Sequence, residues 1–85
     1  LELFQNYPNP FNPVTQIQFD IPSQQFVELK VFAVLGREVA SLVSKELGYG
    51  RYETSIDSRE WKSGVYFYRW KTADQIQTRK LIVLK

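Results

Sequence analysis

The sequence predicts an all-β domain, and three observations carry that expectation. Apolar and polar residues alternate with period 2 in several short runs, as half-buried strands do. Turn-forming Gly, Pro, Asn and Ser interrupt those runs about every 8–12 residues. The chain has six Phe, five Tyr and two Trp, residues that fit a pleated surface and supply a dense small core. Together they argue an immunoglobulin-like antiparallel β-sandwich of about seven strands. All 85 residues are read as one domain, with a Pro-rich extended arm over 1–14 and the sandwich body over 15–85.

The arm is Asn6-Tyr7-Pro8-Asn9-Pro10-Phe11-Asn12-Pro13. Its prolines fix φ and remove N–H donors, which excludes a helix or a central strand. Tyr7 and Phe11 are the expected anchors on the body. Asn9 and Asn12 are expected to bond their own backbone in Asx-type turns.

The body follows in order. Ile17, Phe19 and Ile21 share one face against Gln16, Gln18 and Asp20, until Pro22-Ser23 breaks the run. Val27, Leu29 and Val31 share a face against Glu28 and Lys30. Leu35-Gly36-Arg37 is a turn, with Gly36 suited to positive φ. A short strand is expected over Glu38–Ser44, although Val39, Leu42 and Val43 also fit the 3–4 spacing of a helical turn. Gly48 and Gly50 flank a loop at Tyr49. Tyr52, Thr54 and Ile56 form the next apolar face. A connection over Ser58–Gly64 holds Trp61. Val65–Thr72 is strongly β-prone, with Tyr66, Tyr68 and Trp70 on one face and Val65, Phe67, Arg69 and Lys71 on the other. A loop wider than two residues should follow, because Ala73-Asp74 is not a favoured hairpin pair. Gln75–Leu84 is the last strand.

Composition narrows the chemistry. The chain has no Cys, so neither a disulfide nor thiol chemistry is available. It has no His, which removes the commonest general base and transition-metal ligand. Asp57 and Glu60 lie close enough in sequence to imitate a two-carboxylate site, but lack a supporting shell of partners. Asp57, Glu60 and Asp74 form no ligand-dense calcium loop. No cofactor, metal or nucleic acid is expected, and no enzyme activity. The chain opens on Leu1-Glu2-Leu3, as an excised or processed piece would, without a basic-then-apolar leader. Its longest apolar runs, Phe32–Leu35 and Leu81–Leu84, are too short to insert in a bilayer as helices. Net charge is +2, with the bases concentrated in the second half. Arg69, Lys71, Arg79 and Lys80 make either a basic strip or cross-strand edge protection. Tyr66, Tyr68 and Trp70 form either a core face or an exposed aromatic platform for sugars, the core being favoured.

Four segments together resemble a known family. They are Gln5-Asn6-Tyr7-Pro8-Asn9-Pro10-Phe11-Asn12-Pro13 with Thr15, Ile17 and Phe19; Val31-Phe32 with Leu35-Gly36-Arg37 and Val39; Gly48 and Gly50 with Tyr52; and Ser63-Gly64-Val65-Tyr66-Phe67-Tyr68-Arg69 running to Arg79-Lys80-Leu81-Ile82-Val83-Leu84-Lys85. In order and spacing the chain resembles the type A C-terminal sorting domain of the type IX secretion system. It departs from the pattern at Ala33, at Trp61-Lys62 and at the glycine-free reversal around Ala73-Asp74.

That resemblance implies a delivery role in a Gram-negative bacterium. The domain would direct an attached N-terminal cargo across the outer membrane, so that the product is secreted or held at the cell surface. Its implied partners are the type IX translocon and a sortase-like peptidase, with cleavage upstream of Leu1 or near the start of the arm. The residues expected to be read by the machinery are Asn9, Pro10, Phe11, Asn12, Gly36, Arg37, Gly64, Tyr66, Lys80 and Lys85. Two other readings stand beside it. One is a structural or assembly spacer, since the fold also resembles the immunoglobulin-like domain of the flagellar hook-capping protein. The other is a carbohydrate-binding module built on Tyr66, Tyr68 and Trp70.

Overall fold

The computed structural model describes residues 2–85. Seven strands run in chain order: β1 (Glu2–Leu3), β2 (Val14–Ile21), β3 (Gln25–Ala33), β4 (Glu38–Leu47), β5 (Gly50–Asp57), β6 (Gly64–Lys71) and β7 (Ile76–Val83). Six are full-length strands, and β1 spans two residues. They form two antiparallel sheets, one ordered β1-β2-β5 and the other β4-β3-β6-β7. The sheets pack face to face as the sandwich expected from the alternation. No helix occurs among the described residues.

Period 2 decides which side chains meet. Thr15, Ile17, Phe19 and Ile21 of β2 point inward and are buried, while Gln16 and Gln18 face out. Opposite them, Val27, Leu29 and Val31 of β3 are fully buried. Each such aliphatic side chain contributes about 1.5–3 kcal/mol relative to exposure. The Trp70 ring crosses the gap to Phe19, with centroids 4.8 Å apart. Phe19 in turn stacks on Tyr52 of the paired strand β5. Trp70 is 0% exposed and Tyr68 likewise, which overturns the sugar platform: rings buried to this degree have no face to offer a ligand. The buried Trp70 Nε1 has no hydrogen-bond partner among the described residues.

β4 settles the one ambiguous segment. It is a strand of ten residues, longer than expected and not a helical turn. Its register against β3 slips twice: Leu29 pairs with Val43 but Lys30 with Ser41, and Val31 with Ala40 but Phe32 with Glu38. Leu42 and Val39 are therefore the extra residues of two bulges. Each bulge advances the inward phase by one position. Val39, Ala40, Leu42 and Val43 consequently all pack against the core. The helix-like spacing is the imprint of a doubly bulged strand.

The turns follow their chemistry. Gly36 has φ +96° inside the Ala33–Arg37 reversal, where the Ala33 N–H donates to the Arg37 carbonyl at 2.8 Å. Lys71 pairs with Ile76, so the β6–β7 connection spans Thr72–Gln75 and is wider than two residues, as anticipated.

The N-terminal segment ties the sheets together. Phe4 donates to the Gln18 carbonyl, and Tyr7 exchanges two main-chain bonds with Gln16, which extends the β1 edge along β2. From the other sheet, the Tyr68 hydroxyl accepts from the Asn6 N–H and donates to the Phe4 carbonyl, both at 2.9 Å. Asn6 is buried. Its Nδ2 donates to the Pro8 carbonyl and to Thr15 Oγ1, and Thr15 Oγ1 donates to the same carbonyl at 2.7 Å.

Burial raises the Tyr68 phenol above its ordinary value, with the Asn6 N–H and Arg79 partly opposing. A raised folded-state pKa means that deprotonation above the unfolded value of about 10 costs stability, while below it the hydroxyl's contribution is complete. Tyr68→Phe strips the buried Asn6 N–H and the part-buried Phe4 carbonyl of their partner, so it should cost about 1–3 kcal/mol at neutral pH. Urea unfolding at neutral pH and above pH 10 checks both parts: the gap between wild type and Tyr68→Phe should narrow with alkalinity.

Candidate recognition surface at the C-terminal end of the sandwich

Four chain segments converge at one end of the body: the arm, the β3–β4 turn, the β5–β6 connection and the residues after β7. The arm reaches that end by crossing from one sheet to the other. Beyond Tyr7 it leaves β2, turns through residues 8–10, and runs beside the outer edge of β7. The peptide bonds before Pro8, Pro10 and Pro13 are cis.

β7 is the last strand of its sheet, so alternate main-chain groups point away from β6 and need partners. The arm supplies them. Asn9 Oδ1 accepts from the Ile82 N–H at 2.9 Å. Phe11 N–H donates to the Ile82 carbonyl and its carbonyl accepts from the Leu84 N–H, each at 3.1 Å. That exchange makes a single parallel bridge between Phe11 and Val83. Gln5 Nε2 donates to the Lys80 carbonyl, one step further along the same edge. The Phe11 side chain enters the core at 3% exposure, as expected of an anchor. Tyr7 does not: it is 81% exposed, which corrects that expectation. Its neighbour Asn6 points inward instead, and the period-2 geometry along β2 turns Tyr7 outward. Asn9 is corrected too, since its side chain serves β7 rather than its own turn.

The other segments close around this junction. Pro13 accepts from the N–H and the hydroxyl of Ser58. Gly64, at φ +149°, opens β6 opposite Val83. Lys85 N–H donates to Ser63 Oγ, and its Nζ donates to the Arg59 carbonyl at 2.8 Å. Tyr66 is buried, donates its hydroxyl to the Lys62 carbonyl, and packs against Trp61 with centroids 5.0 Å apart. Arg37, Val39, Glu60, Trp61 and Tyr66 border a cleft of about 360 Å³. Beside it the turn presents Leu35, 96% exposed, and Val34.

The ten residues expected to be read thus fall in two places. All but Lys80 sit at this end, and of those Phe11 and Tyr66 are buried and shape it from within. Lys80 lies further up β7, on the outer face of the sheet opposite Phe67. Leu35, Val34 and Trp61 belong to the same surface and are absent from the sequence-derived set. The signal for Val34 and Leu35 is an apolar run continuing into a turn, and for Trp61 a lone aromatic in a charged connection, where polar residues are usual.

Of the two acids that could imitate a carboxylate pair, Asp57 is engaged by an arginine. Asp57 is bound to Arg59, whose hydrogen bonds and charge hold its carboxyl below the ordinary value. It is a carboxylate at neutral pH and carries no proton to give. Among the described residues no three His, Cys, Asp or Glu side chains gather to hold a metal.

The edge contacts make a prediction. Asn9→Ala removes the acceptor of the Ile82 N–H without touching the core. Amide exchange at Ile82 should speed up about fivefold or more, the equivalent of about one hydrogen bond, while Val27 and Leu29 keep their protection. Exchange followed residue by residue by NMR checks it.

Comparison with known proteins agrees with this architecture. No curated protein matches the chain. A family model does, the secretion system C-terminal sorting domain, over residues 5–84. That match spans the arm, both sheets and the β7 edge, so the chain belongs to the family of C-terminal sorting domains that serve as the signal for type IX secretion.

Proposed function

We propose that the chain is a delivery address read in its folded form. It is carried at the C-terminal side of a cargo protein, and its C-terminal end is what the outer-membrane machinery contacts. The observation that supports this most is the gathering of the arm, the Gly36-Arg37 turn and Lys85 into one surface from distant parts of the sequence. β1 pairs with the far end of β2, at Phe19 and Asp20, so a cargo joined before Glu2 leaves from the opposite end. The long axis of the molecule is 37 Å. Cargo and reading machinery then occupy opposite poles and do not compete for space.

In this scheme the domain is ligand and substrate, never catalyst. The translocon recognises it during passage across the outer membrane. A sortase-like peptidase then cuts on the cargo side of the arm, and the cargo is released or retained at the cell surface. A rigid surface suits such a role, because ordering a flexible tag would lower affinity.

Residues 1–85 fused behind a periplasmic reporter test the reading in a bacterium with type IX machinery. The wild-type fusion should appear outside the cell. Leu35→Asp combined with Arg37→Glu alters only exposed side chains, which normally shift stability by less than about 0.5 kcal/mol. That double variant should stay largely in the periplasm while its urea midpoint is unchanged. Export of the double variant at the wild-type level would place recognition elsewhere on the domain.

A further inference from the structure

The two outer faces of the sandwich differ in kind. The face of the three-stranded sheet engages its charges internally: Asp20 is paired with Arg51, which also lies over the Phe4 ring, and Gln18 donates to Glu53. The face of the four-stranded sheet is apolar, with Arg69, Lys71 and Lys80 along β6 and β7 and Glu28, Glu38 and Glu46 along β3 and β4. Cross-strand pairing sets Phe32, Phe67 and Lys80 in one row, and Lys30, Arg69 and Thr78 in the next. Lys71 and Ile76 continue the face on one side, and Val65 and Ile82 on the other. Ile76 is 62% exposed and Val65 39%, while Phe32 and Phe67 are half-buried.

The cations of this face are largely unspent. Lys30 is paired with Glu38 at 3.3 Å. Arg69, Lys71 and Lys80 make no ion pair among the described residues. The Arg69 guanidinium instead lies 4.6 Å from the centre of the Phe32 ring. This is a cation–π contact, which leaves the guanidinium without an acidic partner.

Edge protection does not account for these charges. A lysine on an edge strand deters pairing with another chain. Arg69 and Lys71, however, sit on β6, which is hydrogen-bonded on both sides by β3 and β7. Arg79, the fourth member of the basic run, leaves the face altogether and donates to the Leu3 carbonyl. What remains is an aromatic and aliphatic centre with an arginine over a ring and a basic margin, the composition typical of protein interfaces.

We infer that the outer face of the four-stranded sheet, centred on Phe32, Phe67 and Arg69, docks an acidic protein surface of the export machinery, separate from the surface that reads the C-terminal end. This rests on the sorting reading above. The occupant is a protein rather than an anionic bilayer. Glu28, Glu38 and Glu46 lie in the same face, where a uniformly negative lipid surface would repel them.

The reporter fusion separates this inference from the reading beneath it. Arg69→Glu, Lys71→Glu and Lys80→Glu together reverse the margin, and Lys80→Glu alone is a milder variant at an exposed position. Glu53→Lys on the other sheet is the control. With the wild-type fusion exported, the triple variant should lose export about tenfold and Lys80→Glu a smaller part, while the control stays within about twofold. Circular dichroism and urea midpoints confirm that each variant is folded. Normal export of both face variants overturns the docking surface and leaves the sorting role intact, whereas failure of the wild-type fusion overturns the sorting role itself. Vesicles of phosphatidylcholine with about one-quarter phosphatidylglycerol supply the remaining arm. Binding of the wild-type fusion to them, lost in the triple variant, would assign the face to lipid and overturn the protein occupant.

Discussion

A sheet that ends must do something with its last edge, and in this chain the arm is what covers it. β7 turns the polar groups of Lys80, Ile82 and Leu84 away from its neighbour. Left bare, they would form a template for another strand. A regular partner strand is ruled out, because the arm holds three prolines that cannot donate. The solution is irregular. Phe11 contributes one N–H and one carbonyl, Asn9 a side-chain oxygen, and Gln5 a side-chain amide. Each lies where proline is absent from the segment. The Pro-rich composition and the substitution of side chains for main chain are therefore one constraint seen from two sides.

The same segment decides how the sheets are held on that side. Hydrophobic contact between the inner faces is non-directional and would tolerate some sliding. The Tyr68 hydroxyl is directional. It starts on one sheet and bonds two main-chain groups of the segment attached to the other. Asn6 and Thr15 then fix the first turn of the arm by converging on the Pro8 carbonyl. A buried polar network of this kind is worth having only when all its members are satisfied, and here they are. The arm reaches β7 in the correct register because its departure from β2 is fixed in this way.

Much of this was legible in the sequence where one rule acted alone. β2, β5 and β6 show plain alternation, and their inward residues were identifiable one by one. Rules in competition were harder. β4 carries two bulges, and each shifts the phase that alternation relies on, so a strand imitated a helical turn. In the arm, Tyr7 is larger and more apolar than Asn6, and hydrophobicity alone favours Tyr7 as the anchor. The outcome is inverted because Asn6 can satisfy three groups at once in a buried corner, whereas Tyr7 lies on the outward phase of the β1 edge. The candidate surface was legible only as scattered residues. That the turn at Gly36 and the distant Lys85 lie at one end depends on long-range strand pairing, which no local pattern encodes.

That dependence bears on how a signal of this kind works. A linear address would be present in the unfolded chain and would need no core. Here the arm, the turn at Leu35 and Arg37, the Trp61 loop and Lys85 become neighbours only after β3, β6 and β7 have paired. The surface is thus also a record that folding is complete. Loss of a core side chain such as Leu81 would disperse this surface without altering any exposed residue, because Phe11 and the segment leading to Lys85 hold their places through β7. What the domain contributes is shape, and the shape exists only in the folded state.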